Sequence, residues 1–198
     1  MPSRISTEFI LGGQKSGKSR RAELLAREWL ASAPDHRAVL IATGQPWDDE
    51  MRDRIARHQR DRATRVPGMV TVEAPREVAA ALAGASNPRT LVVVDCLTLW
   101  LTNWTMPLGI EDMGSGQKAA LEHAWQAQMS MFLAAIRQAP GPVVLVGNEI
   151  GLGVIPIGRE VRAFVDALGL LNQQVAAVCP RVTLMAAGLP LTLKEPTP

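Results

Sequence analysis

The chain of 198 residues contains no tyrosine, three phenylalanines and two cysteines. Cys96 and Cys179 form no metal-ligand spacing, which excludes a disulfide scaffold and a zinc finger or ribbon and suits a reducing, cytoplasmic setting. A charge excess is missing too. Twenty-one Lys and Arg against nineteen Asp and Glu leave a formal charge of +2, too small to argue for nucleic acid or an anionic membrane as partner. No long apolar run occurs, since the most apolar stretch, Leu91 to Trp104, is broken by Asp95 and Asn103. The first residues lack the apolar core of a signal peptide, so a soluble protein without stable membrane insertion is expected. Repeats and low-complexity tracts are absent. The length fits a single domain spanning 1–198, large enough to bury a core without covalent staples.

What the chain does have is a series of short β-branched apolar runs separated by helical patterns. Strands are expected at 7–11, 38–43, 69–73, 90–95, 142–147 and 181–186, and helices at 18–32, 48–61, 75–84, 97–104, 117–138 and 159–178. Several strands are apolar throughout, as strands covered on both faces are. The fold class expected is therefore α/β, a P-loop NTPase-like, mostly parallel sheet with helices on both faces. Residues 106–116 read as a mobile surface loop, and the Pro-containing end 195–198 is expected to fray. Trp100 and Trp104 fall on an expected helix and read as packing.

Residues 12–19, Gly-Gly-Gln-Lys-Ser-Gly-Lys-Ser, fit G-x-x-x-x-G-K-[ST]. Loops of this pattern turn backbone N–H groups around nucleotide phosphates, while the Lys neutralises the β/γ-phosphates and the hydroxyl ligates Mg²⁺. At ordinary residue frequencies such a match arises by chance in roughly 1% of chains this long. Phe9-Ile10-Leu11 before it has strand character and Ala22, Leu25, Ala26 and Trp29 after it have helical spacing, so the loop leads into a helix N-terminus that favours an anion.

In sheets of this kind ligands bind beyond the carboxyl ends of the strands. Asp95 closes the run Leu91-Val92-Val93-Val94 there, as a Mg²⁺-binding carboxylate does; capping of the next helix is the alternative. Residues 48–62 carry Glu50, Arg54, His58 and Arg62 at i, i+4 intervals, so one helix face would set an imidazole between two guanidinium groups, with Met51 and Ile55 facing elsewhere. Spacing alone also fits a solvated, salt-bridged helix. A His among Arg residues suits attack on a nucleotide phosphorus, because the cations hold phosphates and favour the neutral, nucleophilic imidazole. The segment Asn148-Glu149-Ile150-Gly151-Leu152-Gly153-Val154-Ile155-Pro156 reads as a shaped loop, either a plain connector or a cover for a second substrate.

Together these segments resemble the bifunctional adenosylcobinamide kinase and adenosylcobinamide-phosphate guanylyltransferase family of cobalamin biosynthesis. The resemblance runs through nearly the whole chain. It rests on Leu11 to Arg20, Ile41-Ala42-Thr43, Asp48-Asp49-Glu50-Met51 leading into Arg54-Ile55-Ala56-Arg57-His58, and Val94-Asp95-Cys96-Leu97-Thr98 with Asn103. Asn148-Glu149-Ile150-Gly151 with Pro156, Asn172-Gln173 and Gly188-Leu189-Pro190 complete it. Relatives commonly carry a Pro directly after the Arg that follows the His, whereas here Ala63 follows Arg62 and the Pro comes at 67.

The resemblance implies two reactions. ATP or GTP phosphorylates the aminopropanol hydroxyl of adenosylcobinamide; GTP then gives GMP to a histidine, and adenosylcobinamide phosphate takes it to become adenosylcobinamide-GDP. It implies His58 as the guanylylated residue, with Lys18 as the other catalytic group. The implied nucleotide contacts are Gly12, Gly13, Gln14, Lys15, Ser16, Gly17, Lys18 and Ser19, then Ala42, Thr43 and Gly44, then Gln59, Arg60, Asp61 and Arg62, with Glu73 and Asp95. Mg²⁺ would be held by Ser19 and Asp95. A homotrimer is implied as well, and the helix over 48–62 is expected to move toward the nucleotide when GTP binds. Two rival readings are a single-activity kinase of another small metabolite and a nucleotide-switched binding module. The absence of an Asn-Lys-x-Asp guanine-reading motif argues against a small GTPase.

Overall fold

A computed structural model describes residues 7–196. Residues 197–198 of the end expected to fray, and residues 1–6 at the start of the stretch read for a signal peptide, lie outside the described residues. The elements in chain order are β1 (Glu8–Gly12), α1 (Lys18–Ser32), β2 (Arg37–Ala42), α2 (Asp49–Arg65), β3 (Val70–Glu73), α3 (Val78–Ala85), β4 (Thr90–Asp95) and α4 (Leu97–Thr105), followed by α5 (Ser115–Gln138), β5 (Val143–Val146), α6 (Arg159–Val178), β6 (Arg181–Ala186) and β7 (Leu189–Lys194).

One seven-stranded sheet runs in the order β3-β2-β4-β5-β1-β6-β7. Every pairing is parallel except the last, where β7 returns antiparallel to β6. The period-2 alternation of each strand splits its side chains between two cores. Phe9, Leu11, Val92, Val94, Val143 and Leu145 pack with α3 to α6 on one face. Ile10, Leu40, Leu91, Val93, Val144 and Val146 pack with Ala22 and Ala26 of α1 on the other. The strands β1, β4 and β5 are buried along nearly their whole length because helices cover both faces, and their central residues are apolar.

β7 is the strand that the apolar runs did not suggest. Its Leu189, Leu191 and Leu193 alternate with Pro190, Thr192 and Lys194, and all six residues are exposed on the sheet edge. The hairpin turns on Ala187 (φ 52°) and Gly188 (φ 80°), two positive-φ residues whose twist suits a two-residue connection. Pro190 is tolerated because an edge strand need not donate outward. The segment 106–116, expected as a loop, contains a 3-10 turn at Ile110–Asp112, and α5 begins inside it at Ser115.

α2 differs from its neighbours in having no buried residue. Its start is nonetheless well specified. The Asp48 carboxylate accepts the Met51 N–H at 2.7 Å, Asp49 and Glu50 fill the first turn and Arg62 and Arg65 the last, all in the sense that complements the helix dipole. With no Pro at 63, the helix runs on to Arg65.

Candidate active site

The phosphate loop is shaped by its backbone. At the end of β1, Gly12 has φ 153°, and a Cβ there would stand 2.5 Å from both the Met185 carbonyl oxygen and Ser16 Oγ, so glycine is required. Gly17, at φ 101°, opens α1. The Ser16 N–H donates to the Gly13 carbonyl at 3.3 Å, and the Ser16 carbonyl accepts from Gly188 N at 3.1 Å, which ties the loop to the β6–β7 turn. Gly13, Gln14 and Lys15 form an exposed rim. Beneath it Lys18 is only 8% exposed and donates to the Gly13 carbonyl at 2.6 Å. Burial lowers the Lys18 ammonium below its ordinary 10.5, against the pull of the Asp95 carboxylate. An anion at the loop would relieve that desolvation.

Asp95 ends β4, but β4 is not the strand next to the loop: β5 lies between it and β1. The exit of β5 fills that space, with Gly147 N donating to the Ile10 carbonyl at 3.0 Å and Glu149 N to the Gly12 carbonyl at 3.1 Å. Ser19 and Asp95 still line one cavity of about 140 Å³. The same cavity receives Arg54, His58, Gln59 and Arg62 from α2, Ala42 and Gly44 from the end of β2, and Glu73 from the end of β3. The structure thus brings together the loop, the strand-end carboxylate and the Arg-flanked histidine.

α2 is seated on α1 by an ion pair. Arg65 reaches the Glu23 carboxylate at 2.8 Å and Asp61 at 3.0 Å. The Glu23 hydrogen bond and charge raise the Arg65 guanidinium above its ordinary range. Arg62 donates to Thr71 Oγ1 at 3.1 Å, and burial lowers its guanidinium against the opposing charges of Glu23 and Asp95.

A sequence model of the family described as cobinamide kinase / cobinamide phosphate guanyltransferase matches residues 8–193. The chain belongs to this family. A bifunctional adenosylcobalamin biosynthesis protein, CobP, of Pseudomonas aeruginosa is 41% identical over 187 residues, 94% of this chain and 96% of that one. The CobU proteins of Salmonella typhimurium and Escherichia coli, also named as bifunctional adenosylcobalamin biosynthesis proteins, are 35% and 34% identical over 94% of this chain and 98% of theirs. The cobinamide kinase / guanyltransferase chain is a transferase that uses nucleotides, and both the kinase and the guanyltransferase activity are named in the family description.

In this family member some predicted site residues lie away from the cavity. Thr43 is fully buried: its hydroxyl donates to the Cys96 carbonyl at 2.7 Å and accepts the Cys96 N–H at 2.9 Å, clamping the ends of β2 and β4 together. Asn103 donates to the Thr43 and Pro75 carbonyls, both at 2.8 Å. Arg60 and Asp61 point off the cavity; Asp61 is spent on Arg65, and the Arg60 carbonyl accepts from Thr64. Thr98 accepts the Asn148 N–H at 2.9 Å, and Asn172 donates to the Asn148 carbonyl at 3.0 Å. The Asn148 loop is thereby fixed at its base, while Leu152, Val154, Ile155 and Ile157 stand exposed beyond it. A larger cavity, about 540 Å³, opens between that loop and α6 and is bordered by Arg162, Asp166 and Gln173.

One expectation about α2 is corrected. Met51 and Ile55 do not face away from Arg54 and His58 but line the same cavity, where Ile55 and Leu99 both approach Gly44. A helix this exposed turns its few apolar side chains toward the only surface available. Glu23 was not singled out by the sequence, although it lies one turn after Ser19 on α1 and so shares its face. Cys96 lines the cavity but is no nucleophile, since burial pushes its thiol up to about 12.

Proposed function

We propose that the protein phosphorylates the aminopropanol hydroxyl of adenosylcobinamide with ATP or GTP, then guanylylates the phosphate product through a covalent GMP–His58 intermediate. The observation that carries this reading is the meeting of Ser19, Asp95 and His58 on one cavity. A single-activity kinase has no use for an uncoordinated imidazole at its phosphate site. The two chemistries place different demands on the site. Phosphoryl transfer needs positioning and charge neutralisation, which the loop backbone and Lys18 provide. Guanylyl transfer needs a nucleophile, and the exposed His58 is the side chain in the cavity suited to it.

Mg²⁺ suits the donor set. Among the described residues no group of three or more His, Cys, Asp or Glu could hold a metal ion by itself. The Ser19 hydroxyl and the Asp95 carboxylate line the cavity together with Glu23 and Glu73, and Mg²⁺ is ordinarily held by one or two protein oxygens with substrate phosphates and water completing its shell. When bound it would neutralise phosphate charge. The remaining assigned contacts then divide by reach: Gly12 to Lys18 wrap the β/γ-phosphates, while Ala42, Gly44, Gln59, Arg62 and Glu73 surround the nucleoside and α-phosphate. The loop at 148–156, fixed at its base, would close over the second substrate beside the neighbouring cavity.

The protein acts as one catalytic domain, in the cytoplasm, and as a homotrimer. Exposed Leu189, Leu191 and Leu193 on β7 and Val154 and Ile157 near α6 support self-association. Among the described residues no helix is long and apolar enough to cross a membrane. The test is a His58→Ala variant assayed for both half-reactions with adenosylcobinamide and its phosphate. Guanylyl transfer is expected to vanish with phosphorylation retained; loss of both, or of neither, contradicts the role.

A further inference from the structure

The α2 arginines differ in what already occupies them. Arg52 pairs with Asp49, Arg62 donates to Thr71, and Arg65 is held by Glu23 and Asp61. Arg57 and Arg60 do not line the nucleotide cavity. Arg54 does line it, one helical turn before His58, and among the described residues it has neither a hydrogen bond nor an ion pair. Its Cβ therefore sits about 5–6 Å from that of His58, with a long guanidinium arm still free. Its charge opposes that of Lys18, the neighbour of Ser19 at the start of α1. Among the described residues no carboxylate pairs with Arg54, while the Asp95 carboxylate acts on Lys18.

We propose that Arg54 binds the β,γ-phosphates of GTP opposite Lys18 and takes up the charge that builds on the pyrophosphate as His58 captures GMP. This rests on the guanylylated-histidine reading. In the step, a ring nitrogen lone pair of neutral His58 forms the N–P bond to the α-phosphorus. The bond from that phosphorus to the α,β-bridging oxygen breaks, and its electron pair leaves with pyrophosphate. The other ring nitrogen keeps its proton until solvent removes it, so the leaving group carries one more negative charge than it did within GTP. A fork of free guanidinium donors carried on the nucleophile's own helix meets that charge only when α2 is seated for attack.

The test uses the full chain with Arg54 replaced by Gln and by Lys, and GTP, GMP and pyrophosphate as probes. At saturating GTP, Arg54→Gln is expected to slow incorporation of GMP into the protein on the order of 10²-fold, and Arg54→Lys to recover part of it. Pyrophosphate binding by Arg54→Gln should weaken about 10-fold while GMP, which lacks the β,γ-phosphates, binds as to the parent chain. An incorporation rate in Arg54→Gln within about 3-fold of the parent overturns the proposal, since a lost charge-assisted contact exceeds that. A parallel loss of GMP and pyrophosphate affinity also overturns it, because Arg54 would then be holding the helix. Should the parent chain itself take no label, the histidine reading fails on its own, and the pyrophosphate measurement still decides whether Arg54 makes the contact.

Discussion

The phosphate loop with α1, and the helix α2, line the same cavity but are held there by opposite means. The loop is fixed by backbone geometry and burial: Gly12 and Gly17 at positive φ, Lys18 buried, Ala22 and Ala26 inserted into the sheet core. α2 has no fully buried residue and is seated by the Glu23–Arg65 ion pair and by Met51 and Ile55 at its cavity edge. The difference matches the two chemistries proposed. Phosphate binding serves both reactions and belongs on a rigid frame, whereas a nucleophile needed in only one belongs on an element with little stability at stake.

This contrast is broken most directly at Gly12. Gly12→Ala places a Cβ against the Met185 carbonyl in a strained backbone region, and about 3 kcal/mol of stability should be lost along with both activities, read by chemical denaturation and by the two assays. His58→Ala is the converse: guanylyl transfer should disappear while stability, for an exposed side chain, stays within about 0.5 kcal/mol. Equal losses of stability in the two variants would erase the distinction between frame and seat.

A smaller effect is expected at the seat itself. Arg65→Ala leaves the Glu23 carboxylate, 10% exposed in its side chain, without its partner. Because Arg65 is itself 43% exposed, solvent screens the pair and the cost should be about 1 kcal/mol. The rate of GMP capture should fall more than that of phosphorylation, and high salt should mimic the variant in the parent chain. A further test concerns the cysteines. Burial pushes Cys96 and Cys179 up to about 12 from an ordinary 9.0, so neither should be alkylated at pH 8 until the chain is unfolded. Above pH 9 the unfolded thiols ionise and the folded ones do not; the folded state holds more protons, and stability falls as pH rises from about 9 toward 12, read by denaturation at successive pH values.

The same contrast explains what could be read from the residues in advance. The loop was legible because its chemistry is written in consecutive residues, and the strands because burial on both faces leaves uninterrupted apolar runs such as Leu91 to Val94. The strand order was not, since nothing local tells that β5 inserts between β1 and β4. The α2 face was half legible. Intervals of four gathered Arg54, His58 and Arg62 correctly, but the turn that brings Met51 and Ile55 to the same cavity depends on α1 and α4 lying beneath. Thr43 shows what a motif leaves unsaid, because between the cavity-lining Ala42 and Gly44 its side chain is a buried clamp on Cys96. β7 was hidden by Pro190, which argues against a central strand and is harmless at an edge.

The central claim, that His58 accepts GMP at the phosphate-loop site, is tested most directly by incubating the chain with GTP and Mg²⁺ in the absence of corrinoid and mapping the covalent product by peptide mass spectrometry. The account predicts a single GMP adduct, acid-labile and base-stable, on the peptide that carries His58, and none in His58→Ala. An unmodified chain, or an adduct that persists when His58 is replaced, would contradict it.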